Sequence, residues 1–405
     1  MMHKKTKTEW IVIAMAGIQF VNIVEFMMIM PLGPDFAATL HISPSHLAYL
    51  SGTYTAMEAI ASIIMAFFLD RFDRRVVLAA LLIGFVLGSL SCILATDFNS
   101  LLVARALTGF FGGPLASFAM AIAIDSVPLE RRGHAIGTMT SSFSLAAVFG
   151  VPIGLELARI GGWQLPFLVI AGISTLMLSV VFWISPPCCK DLNNRPLLTV
   201  QYLVHSWVKP KAIIVYVLTI IAMGTAFMLI PNISAYVQYN LHYSRSDLTW
   251  LYLAGGSMSF LVSQFSGYLI DQLGTLFVAI LSTTIILFST YFGFIDMPIG
   301  IPIIIIFVFY MGGNTMGSVA RASCISHIPS AEERAGFMLL YGAMRCIGIT
   351  VGSFFSTFVL QTSSITGQLV GMSELAMITM ALSLIFPLAV WRLERHLIRE
   401  GSPHC

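Results

Sequence analysis

Asp70-Arg71-Phe72-Asp73-Arg74-Arg75 places five charges within six residues. On each side lies an apolar segment of about 20 residues, long enough to span a bilayer. Charge within the hydrocarbon is costly, so this turn must lie at a membrane surface. A similar pattern returns 201 residues later, where Asp271 ends one apolar segment and Gly274 precedes the next. This recurrence predicts two structurally related halves.

A second motif supports the same repeat. Glu130-Arg131-Arg132-Gly133 and Glu333-Arg334-Ala335-Gly336 each follow a proline and enter an apolar segment, at an offset of 203 residues. Two motifs at nearly the same offset are difficult to explain by chance. The duplication therefore extends beyond the charged turn.

The composition indicates the class of protein. Hydrophobic residues make up 57% of the chain and charged residues 10%, whereas soluble domains carry about 25% charged residues. We predict an all-α polytopic membrane protein that is integral to the bilayer. The net charge of +2 indicates no nucleic-acid partner. The six cysteines are scattered, which predicts neither a disulfide framework nor a metal site, and we expect no cofactor.

Twelve segments are apolar over the length of about 20 residues that a membrane span requires. They lie at roughly 9–31, 47–69, 76–95, 101–124, 134–158, 164–184, 212–237, 248–270, 276–294, 299–320, 336–360 and 375–393. The sequence therefore predicts an N-terminal six-helix half at 1–184, a cytosolic linker at 185–211 and a C-terminal six-helix half at 212–405.

The basic residues predict the orientation. Of the 21 lysines and arginines, Arg159 and Arg245 fall in predicted outer loops, and Arg105 and Arg345 lie within spans. The others lie in the segments that face the cytosol if the N-terminus is inside, as the positive-inside rule requires. We predict that both termini are cytosolic and that the protein is a monomer in the cytoplasmic (inner) membrane.

Three motifs resemble those of a known family. Asp70-Arg71-x-x-Arg74-Arg75 is similar to the loop 2–3 signature of the major facilitator superfamily, and Arg105-x-x-x-Gly109-x-x-Gly112-Gly113 to its helix 4 signature. Gly150-Val151-Pro152-Ile153-Gly154 resembles the helix 5 pattern of its twelve-helix, proton-linked drug and sugar efflux antiporters. The resemblance covers essentially the full length. It implies the major facilitator fold, with two pseudo-symmetric six-helix halves around a midplane cavity.

Glu25 and Arg105 are the first candidates for proton coupling. A bare carboxylate at Glu25, within the apolar first span, would cost several kcal/mol, so the group must be protonated, paired or hydrated. Arg105 stays charged and needs a carboxylate or a hydrated pocket. Their depths are comparable, which predicts a pair, and the resemblance implies that Arg105 acts in proton coupling. The structural alternatives are a static ion pair and snorkelling of Arg105 to the outer surface.

Four further polar residues within spans are candidates. Glu58, near the middle of the second span, is a coupling carboxylate in place of Glu25 or beside it, or a neutral acid satisfied within the bundle. Tyr54, one turn earlier, can hydrogen-bond Glu58. We assign Asn22, Tyr54 and Arg345 to the substrate cavity. Arg345 either faces that cavity or pairs with Glu58 across the halves.

A third group of residues is expected to gate transport. Its members are Asp70, Arg71, Arg74, Arg75, Asp271, Gly150, Pro152 and Gly154. The resemblance implies that the charged loop locks helix ends from opposing halves, whereas a plain topogenic turn is the alternative. Pro152 removes a backbone donor, and the two flanking glycines permit close helix approach. This pattern predicts a bending and packing point at the interface between halves.

Together these features predict a secondary transporter and not an enzyme. We expect it to export small, partly apolar molecules, drug-like or sugar-like, in exchange for protons. The alternative is proton-coupled uptake of a nutrient, because the same carboxylates serve either direction. The sequence contains no readable nucleophile–base pair or nucleotide-binding loop, which disfavours a membrane-embedded enzyme. The predicted partners are a small-molecule substrate, protons and the lipid bilayer.

Overall fold

A computed structural model describes residues 2–66, 73–128, 132–184, 210–298, 300–326, 334–363 and 366–399. The chain divides into two compact units, Met1–Ile42 with Tyr49–Thr199, and Ser43–Ala48 with Val200–Cys405. Most of the predicted linker at 185–211 lies outside the described residues.

The first half of the chain is helical, as its long apolar runs predict. Its helices are α1 (Met2–Met28), α2 (Gly33–Leu40), α3 (Ala48–Ala66), α4 (Arg74–Ile93), α5 (Phe98–Asp125), α6 (Arg132–Leu145), α7 (Val151–Gly161) and α8 (Gln164–Ile184). A π-helical turn, Ala146–Gly150, joins α6 to α7, so that the fifth predicted span is one continuous helical segment with a local irregularity.

The described part of the second half is also helical, apart from one pair of short strands. Its helices are α9 (Pro210–Leu229), α10 (Ile233–Ala235), α11 (Arg245–Leu273), α12 (Thr275–Phe294), α13 (Ile303–Ser326), α14 (Arg334–Val359), α15 (Met372–Ser383) and α16 (Ile385–Arg399). Strands β1 (Gln361–Thr362) and β2 (Leu369–Val370) pair antiparallel between α14 and α15. A π-helical turn, Tyr236–Asn240, follows α10.

Ten helical segments in the described part of the chain are long and apolar enough to cross a membrane. The other two predicted spans, 47–69 and 248–270, coincide with α3 and α11, which are helical but fall outside that group of ten. The reason is their polar content, which includes Ser51, Thr55 and Glu58 in α3. Length and apolar composition thus support ten of the twelve predicted spans, while the helical structure extends to all twelve.

The two units repeat the same helix packing. In the first unit, α4 packs against α5 and α8, and α1 packs against α6 and α7. In the second unit, α12 packs against α13 and α15, and α9 packs against α14. Counted as spans, these are the same pairs: third with fourth, third with sixth, and first with fifth. The packing agrees with the repeat inferred from the two sequence motifs.

Candidate functional site

A fully buried ion pair lies between the first and fourth spans. Glu25 of α1 and Arg105 of α5 are both 0% exposed, and Nη1 of Arg105 donates to Oε1 of Glu25 over 2.5 Å. The pair predicted from matching depths is confirmed. Because Arg105 is enclosed, it does not snorkel to the surface. An ion pair removed from water requires close geometry and further hydrogen bonds to offset the cost of desolvation.

The depth of Arg105 follows from where α5 begins. Asp97 and Ser100 form a reciprocal capping box that fixes the start of the helix at Phe98. Hydrogen bonds from the backbone and side chain of Ser100 hold the pKa of the exposed Asp97 carboxyl below its usual value. Seven residues at 1.5 Å rise carry Arg105 about 10 Å along the axis from that start. There α1 packs on α5, which brings Glu25 within reach.

Tyr54 of α3 covers the Arg105 guanidinium. The guanidinium carbon lies 4.5 Å from the centre of the Tyr54 ring, within the range of a cation–π interaction. Phe26, next to Glu25 in sequence, packs against Tyr54, with its ring centre 5.4 Å from that of Tyr54. The sequence placed Tyr54 near Glu58 as a hydrogen-bond partner, and did not predict its stacking on Arg105.

The glycines of the helix 4 signature allow α3 to lie directly on α5. A Cβ atom at Gly109 would come within 2.2 Å of the Tyr54 carbonyl oxygen, and one at Gly113 within 2.4 Å of Glu58 Cγ. At Gly112 the nearest atom would be the Tyr54 hydroxyl, at 2.5 Å. A side chain at Gly109 or Gly113 would force α3 away from α5, so the glycines that follow Arg105 permit the close packing that brings Tyr54 over the guanidinium.

Asn22 and Cys92 complete the surroundings of the pair. Asn22, 5% exposed, donates from Nδ2 to the carbonyl of Gly112 over 2.8 Å. The buried thiol of Cys92 in α4 lies 3.9 Å from Oγ1 of Thr108 and interacts electrostatically with both Glu25 and Arg105. Sequence reasoning identified Asn22 from its helical spacing to Glu25 but missed Cys92, since nothing in the spacing links the third span to this site.

The predicted bending point packs against α1. Pro152 has no N–H to donate, and just before it the N–H of Val151 bonds to Ala146, five residues earlier, in a π-helical turn. A Cβ atom at Gly150 would come within 2.3 Å of Val24, the neighbour of Glu25, and one at Gly154 within 3.4 Å of Met28. The sequence placed these glycines at the interface between halves, whereas these contacts lie inside the first unit.

The charged loop is described only in part. Asp70 and Arg71 lie outside the described residues, as does the side chain of Arg74. Arg75 donates from Nη2 to the carbonyl of Phe182 at the end of α8, and its guanidinium lies 5.1 Å from the centre of that ring. These contacts tie the start of α4 to α8 within one unit. They are not the contacts between halves that the resemblance implies for this loop.

The two remaining candidates lie in the second unit. Asp271 is exposed in the last turn of α11, ahead of Gly274, whose φ of 82° suits glycine. Arg345 is half-buried in α14. Their proposed parts in gating and substrate binding stay predictions. Within the ranges that the structure describes, no three His, Cys, Asp or Glu residues come together in a way that could hold a metal ion.

The second unit has a neutral polar contact near the end of its own first span, Ile213–Asn240. Asn232, 0% exposed, donates from Nδ2 to the Met228 carbonyl over 2.9 Å and to Ser356 Oγ of α14 over 3.0 Å. Close by, Tyr236 and Tyr310 help to line a small apolar cavity. Sequence reasoning did not single out Asn232 or Ser356, because neither carries a charge or belongs to a repeated motif.

Comparison with known proteins identifies the family. The profile of the Major Facilitator Superfamily matches residues 15–352. An uncharacterized MFS-type transporter, YwfA of Bacillus subtilis (strain 168), is 34% identical over 143 residues, which are 35% of this chain and 35% of that protein. The inner membrane transport protein YdhP of Escherichia coli (strain K12) is 26% identical over 214 residues, 52% of this chain and 54% of YdhP. The matched stretches thus span about half or less of these relatives.

Solved structures show the same fold at low sequence identity. A bacterial homolog of the human lysosomal transporter Spinster, in an inward-facing and occupied conformation, has a TM-score of 0.75 and 16% identity, covering 96% of this chain and 97% of that one. A D-xylose-proton symporter has a TM-score of 0.73 and 16% identity, covering 98% of each chain. The predicted major facilitator fold is confirmed, and both the family and the fold are those of transporters and not of enzymes.

Proposed function

The chain belongs to the Major Facilitator Superfamily, and from that premise we propose that it exports small, partly apolar molecules in exchange for protons. As a member of this family it is an integral membrane protein and a secondary transporter of small molecules. The direction rests on the helix 5 pattern around Pro152, which resembles that of the proton-linked drug and sugar antiporters. Two halves would rock around a midplane site and expose it to each side in turn.

The buried pair of Glu25 and Arg105 carries this proposal. A carboxylate in a dry site exchanges a proton only when its surroundings change, because its ionised form depends on the neighbouring cation. Here that cation contacts Glu25 through a single bond of 2.5 Å. A helix movement that lengthens this bond would favour protonation of Glu25, and a movement that restores it would expel the proton.

The neighbouring residues have supporting parts in the proposal. Tyr54 holds the Arg105 guanidinium in place, while Asn22 and Arg345 contribute polar groups to the substrate cavity. Glu58, which lies against Gly113, is the second proton-coupling candidate. Glu58 belongs to α3 and meets α5 at Gly113, about two turns beyond Arg105. The carboxylates of Glu25 and Glu58 are therefore far enough apart for single substitutions to distinguish them.

Gating is proposed for two regions. The loop from Asp70 to Arg75, with Asp271 at the equivalent place in the second half, would control the cytosolic side. The segment from Gly150 to Gly154 would bend, since the π-helical turn and Pro152 interrupt the regular hydrogen bonds there. Because Gly150 touches Val24, a bend at this point would shift α1 next to Glu25.

The orientation and assembly remain part of the proposal. We place both termini and the 185–211 linker in the cytosol, in a monomer within the cytoplasmic membrane. The distribution of lysine and arginine supports this orientation. Reporter fusions active only in the cytosol, attached at either end of the chain, would both be active; an inactive fusion at one end would contradict this topology.

Substitution of the carboxylate tests the function. A growth screen against toxic compounds first supplies a transported substrate, whose export is then measured in proteoliposomes with an imposed pH gradient. We expect Glu25→Gln to abolish gradient-driven export while leaving exchange without a gradient. Glu156→Gln is the matched control, because Glu156 also pairs with an arginine, Arg159, but is 46% exposed. Unimpaired gradient-driven export by Glu25→Gln would reject the assignment.

Proton-coupled uptake of a nutrient is the second candidate. The buried pair would serve a symporter equally well, and a symporter for D-xylose is among the proteins that share this fold. The two candidates differ in where substrate collects in intact, energised cells. Accumulation inside cells that express the protein would favour uptake, and depletion would favour export.

A further inference from the structure

Three buried polar atoms of the ion pair have no hydrogen-bond partner among the described residues. They are Oε2 of Glu25 and the Nε and Nη2 atoms of Arg105. A guanidinium offers five N–H donors, yet a single one reaches Glu25. The Tyr54 ring covers a face of the guanidinium but offers no acceptor there. Unsatisfied buried donors are costly, so the edge of Arg105 away from Glu25 is equipped to hold a further acceptor.

The charge of the site changes sharply when Glu25 takes up a proton. With Glu25 ionised, the pair is neutral overall. With Glu25 protonated, Arg105 remains as an enclosed positive charge, which is expensive in a low-dielectric site. Arg105 is the charged group that acts on Glu25 within the described part of the chain. Glu58 meets α5 at Gly113, eight residues beyond Arg105 and therefore about 12 Å further along the helix axis.

The groups around the guanidinium are donors or weakly polar groups. Cys92 offers a thiol, whose sulfur is only a weak acceptor for Arg105 and whose S–H is a weak donor. The Thr108 hydroxyl, 3.9 Å from the Cys92 sulfur, donates to the Ala104 carbonyl over 2.8 Å and carries no charge that could balance Arg105. A protonated Glu25 would add one more O–H. A set of N–H, S–H and O–H donors around a fixed positive charge is suited to a small anion.

We propose that Arg105 binds a small monovalent anion when Glu25 is protonated, so that a proton and an anion occupy the first unit together. The anion contacts Nε and Nη2 of Arg105 and restores neutrality. Its chemistry is that of a halide or of a single carboxylate group. The proposal rests on proton uptake by Glu25 as stated under the proposed function, and adds a ligand and a charge balance to that step.

By linkage, the anion and the proton must each strengthen the binding of the other. In weakly buffered detergent solution, adding sodium chloride to the wild-type protein at mildly acidic pH should cause uptake of protons, up to one per protein molecule. Sodium gluconate at the same ionic strength, whose anion is too bulky for an enclosed site, should cause none. Sodium acetate distinguishes a carboxylate-selective site from a halide site. A purely structural ion pair would show no anion-dependent proton uptake.

Substitution gives a second, independent test. Glu25→Gln imitates the protonated acid, so chloride in tenfold excess over its dissociation constant should raise the midpoint of thermal unfolding of this variant by about 2 °C relative to gluconate. Measured at a mildly alkaline pH, at which an unsubstituted Glu25 stays ionised and paired, the shift should disappear in the Glu25→Gln, Arg105→Gln double variant and be absent from Glu156→Gln. If neither chloride nor acetate causes proton uptake by the wild type or stabilises Glu25→Gln, the anion site is wrong. In that case, loss of gradient-driven export in Glu25→Gln would still support Glu25 as the proton carrier. The experiments therefore test the anion site and the proton carrier independently.

Discussion

The two halves of the molecule share their helix packing but differ in the charge that they bury. The first half encloses Glu25 and Arg105 between its first and fourth spans. The second half links its first and fifth spans through the neutral side chains of Asn232 and Ser356. At offsets of 201 to 203 residues from Arg105 stand Ile306, Phe307 and Val308, all of them apolar. Among the described residues the two units share the scaffold, while the fully buried ion pair lies in the first; the buried cation of the second, Arg321, is 8% exposed and lies over the Phe386 ring.

Among substitutions that probe this difference between the halves, removal of Arg105 should have the largest effect on stability. Arg105→Met leaves Glu25 buried without its cation, and breaking a buried pair in this way costs about 3–5 kcal/mol. We expect a marked fall in the midpoint of thermal unfolding in detergent. The Glu25→Gln, Arg105→Met double variant should recover much of this loss, because no buried charge remains. Equal stability of Arg105→Met and the wild type would show that the pair is not enclosed as described.

A smaller difference in stability is expected when glycines of the fourth and tenth spans are replaced by alanine. A methyl group at Gly109 would meet the backbone of Tyr54 at 2.2 Å, whereas at Gly312, 203 residues later, it would meet the flexible side chain of Met258 at 3.3 Å. Overpacking against a rigid neighbour costs about 1–3 kcal/mol. Gly109→Ala should therefore lower the thermal midpoint clearly and Gly312→Ala only slightly.

A control for the glycine substitutions comes from the sixth span. Gly172 has no neighbouring atom within 4 Å of a built Cβ, so Gly172→Ala should leave stability unchanged or raise it through helix propensity. Equal losses for Gly109→Ala and Gly312→Ala would mean that the fourth span is no more tightly packed than the tenth.

Asn232→Ala tests whether the second half takes part in proton coupling. The substitution removes hydrogen bonds worth about 1 kcal/mol, and Ser356 keeps its own bond to the Ser353 carbonyl, of 2.8 Å. We expect slightly lower stability and an unchanged dependence of transport on the pH gradient. If the variant lost gradient-driven transport as completely as Glu25→Gln, the functional difference between the halves would disappear.

The exposed pair of Glu156 and Arg159 should give the smallest effect. These side chains are 46% and 60% exposed, and exposed ion pairs contribute little because water and salt screen them. Glu156→Gln should change neither the thermal midpoint nor transport measurably. A clear loss in either measurement would indicate that burial is not what separates this pair from Glu25 and Arg105.

The sequence predicted the fold and the central pair but not the details around it. Apolar length located the spans, and matching depth along two helices led from Glu25 to Arg105. A single sequence does not show how each helix is rotated about its axis, so the stacking of Tyr54 on Arg105 and the approach of Cys92 were missed. For Gly150 the described contact is Val24 of α1, and its place at the interface between halves stays a prediction.

The charged turn shows why a sequence motif does not specify its partners. Its basic residues predicted a loop at a membrane surface, which follows from the cost of burying charge. The partner of Arg75, however, is the carbonyl of Phe182 in the same unit, more than 100 residues away in the chain. Such a contact depends on how α4 packs on α8, which no local pattern records.

Infrared spectroscopy of the protein in lipid tests the central claim most directly, because a protonated carboxyl group has a carbonyl stretching band that a carboxylate lacks. As the pH is lowered, the wild type should gain a band that is missing from Glu25→Gln and retained in Glu156→Gln. Identical spectra for the wild type and Glu25→Gln at every pH at which both are folded would contradict the account, since Glu25 would then be a permanently ionised partner of Arg105.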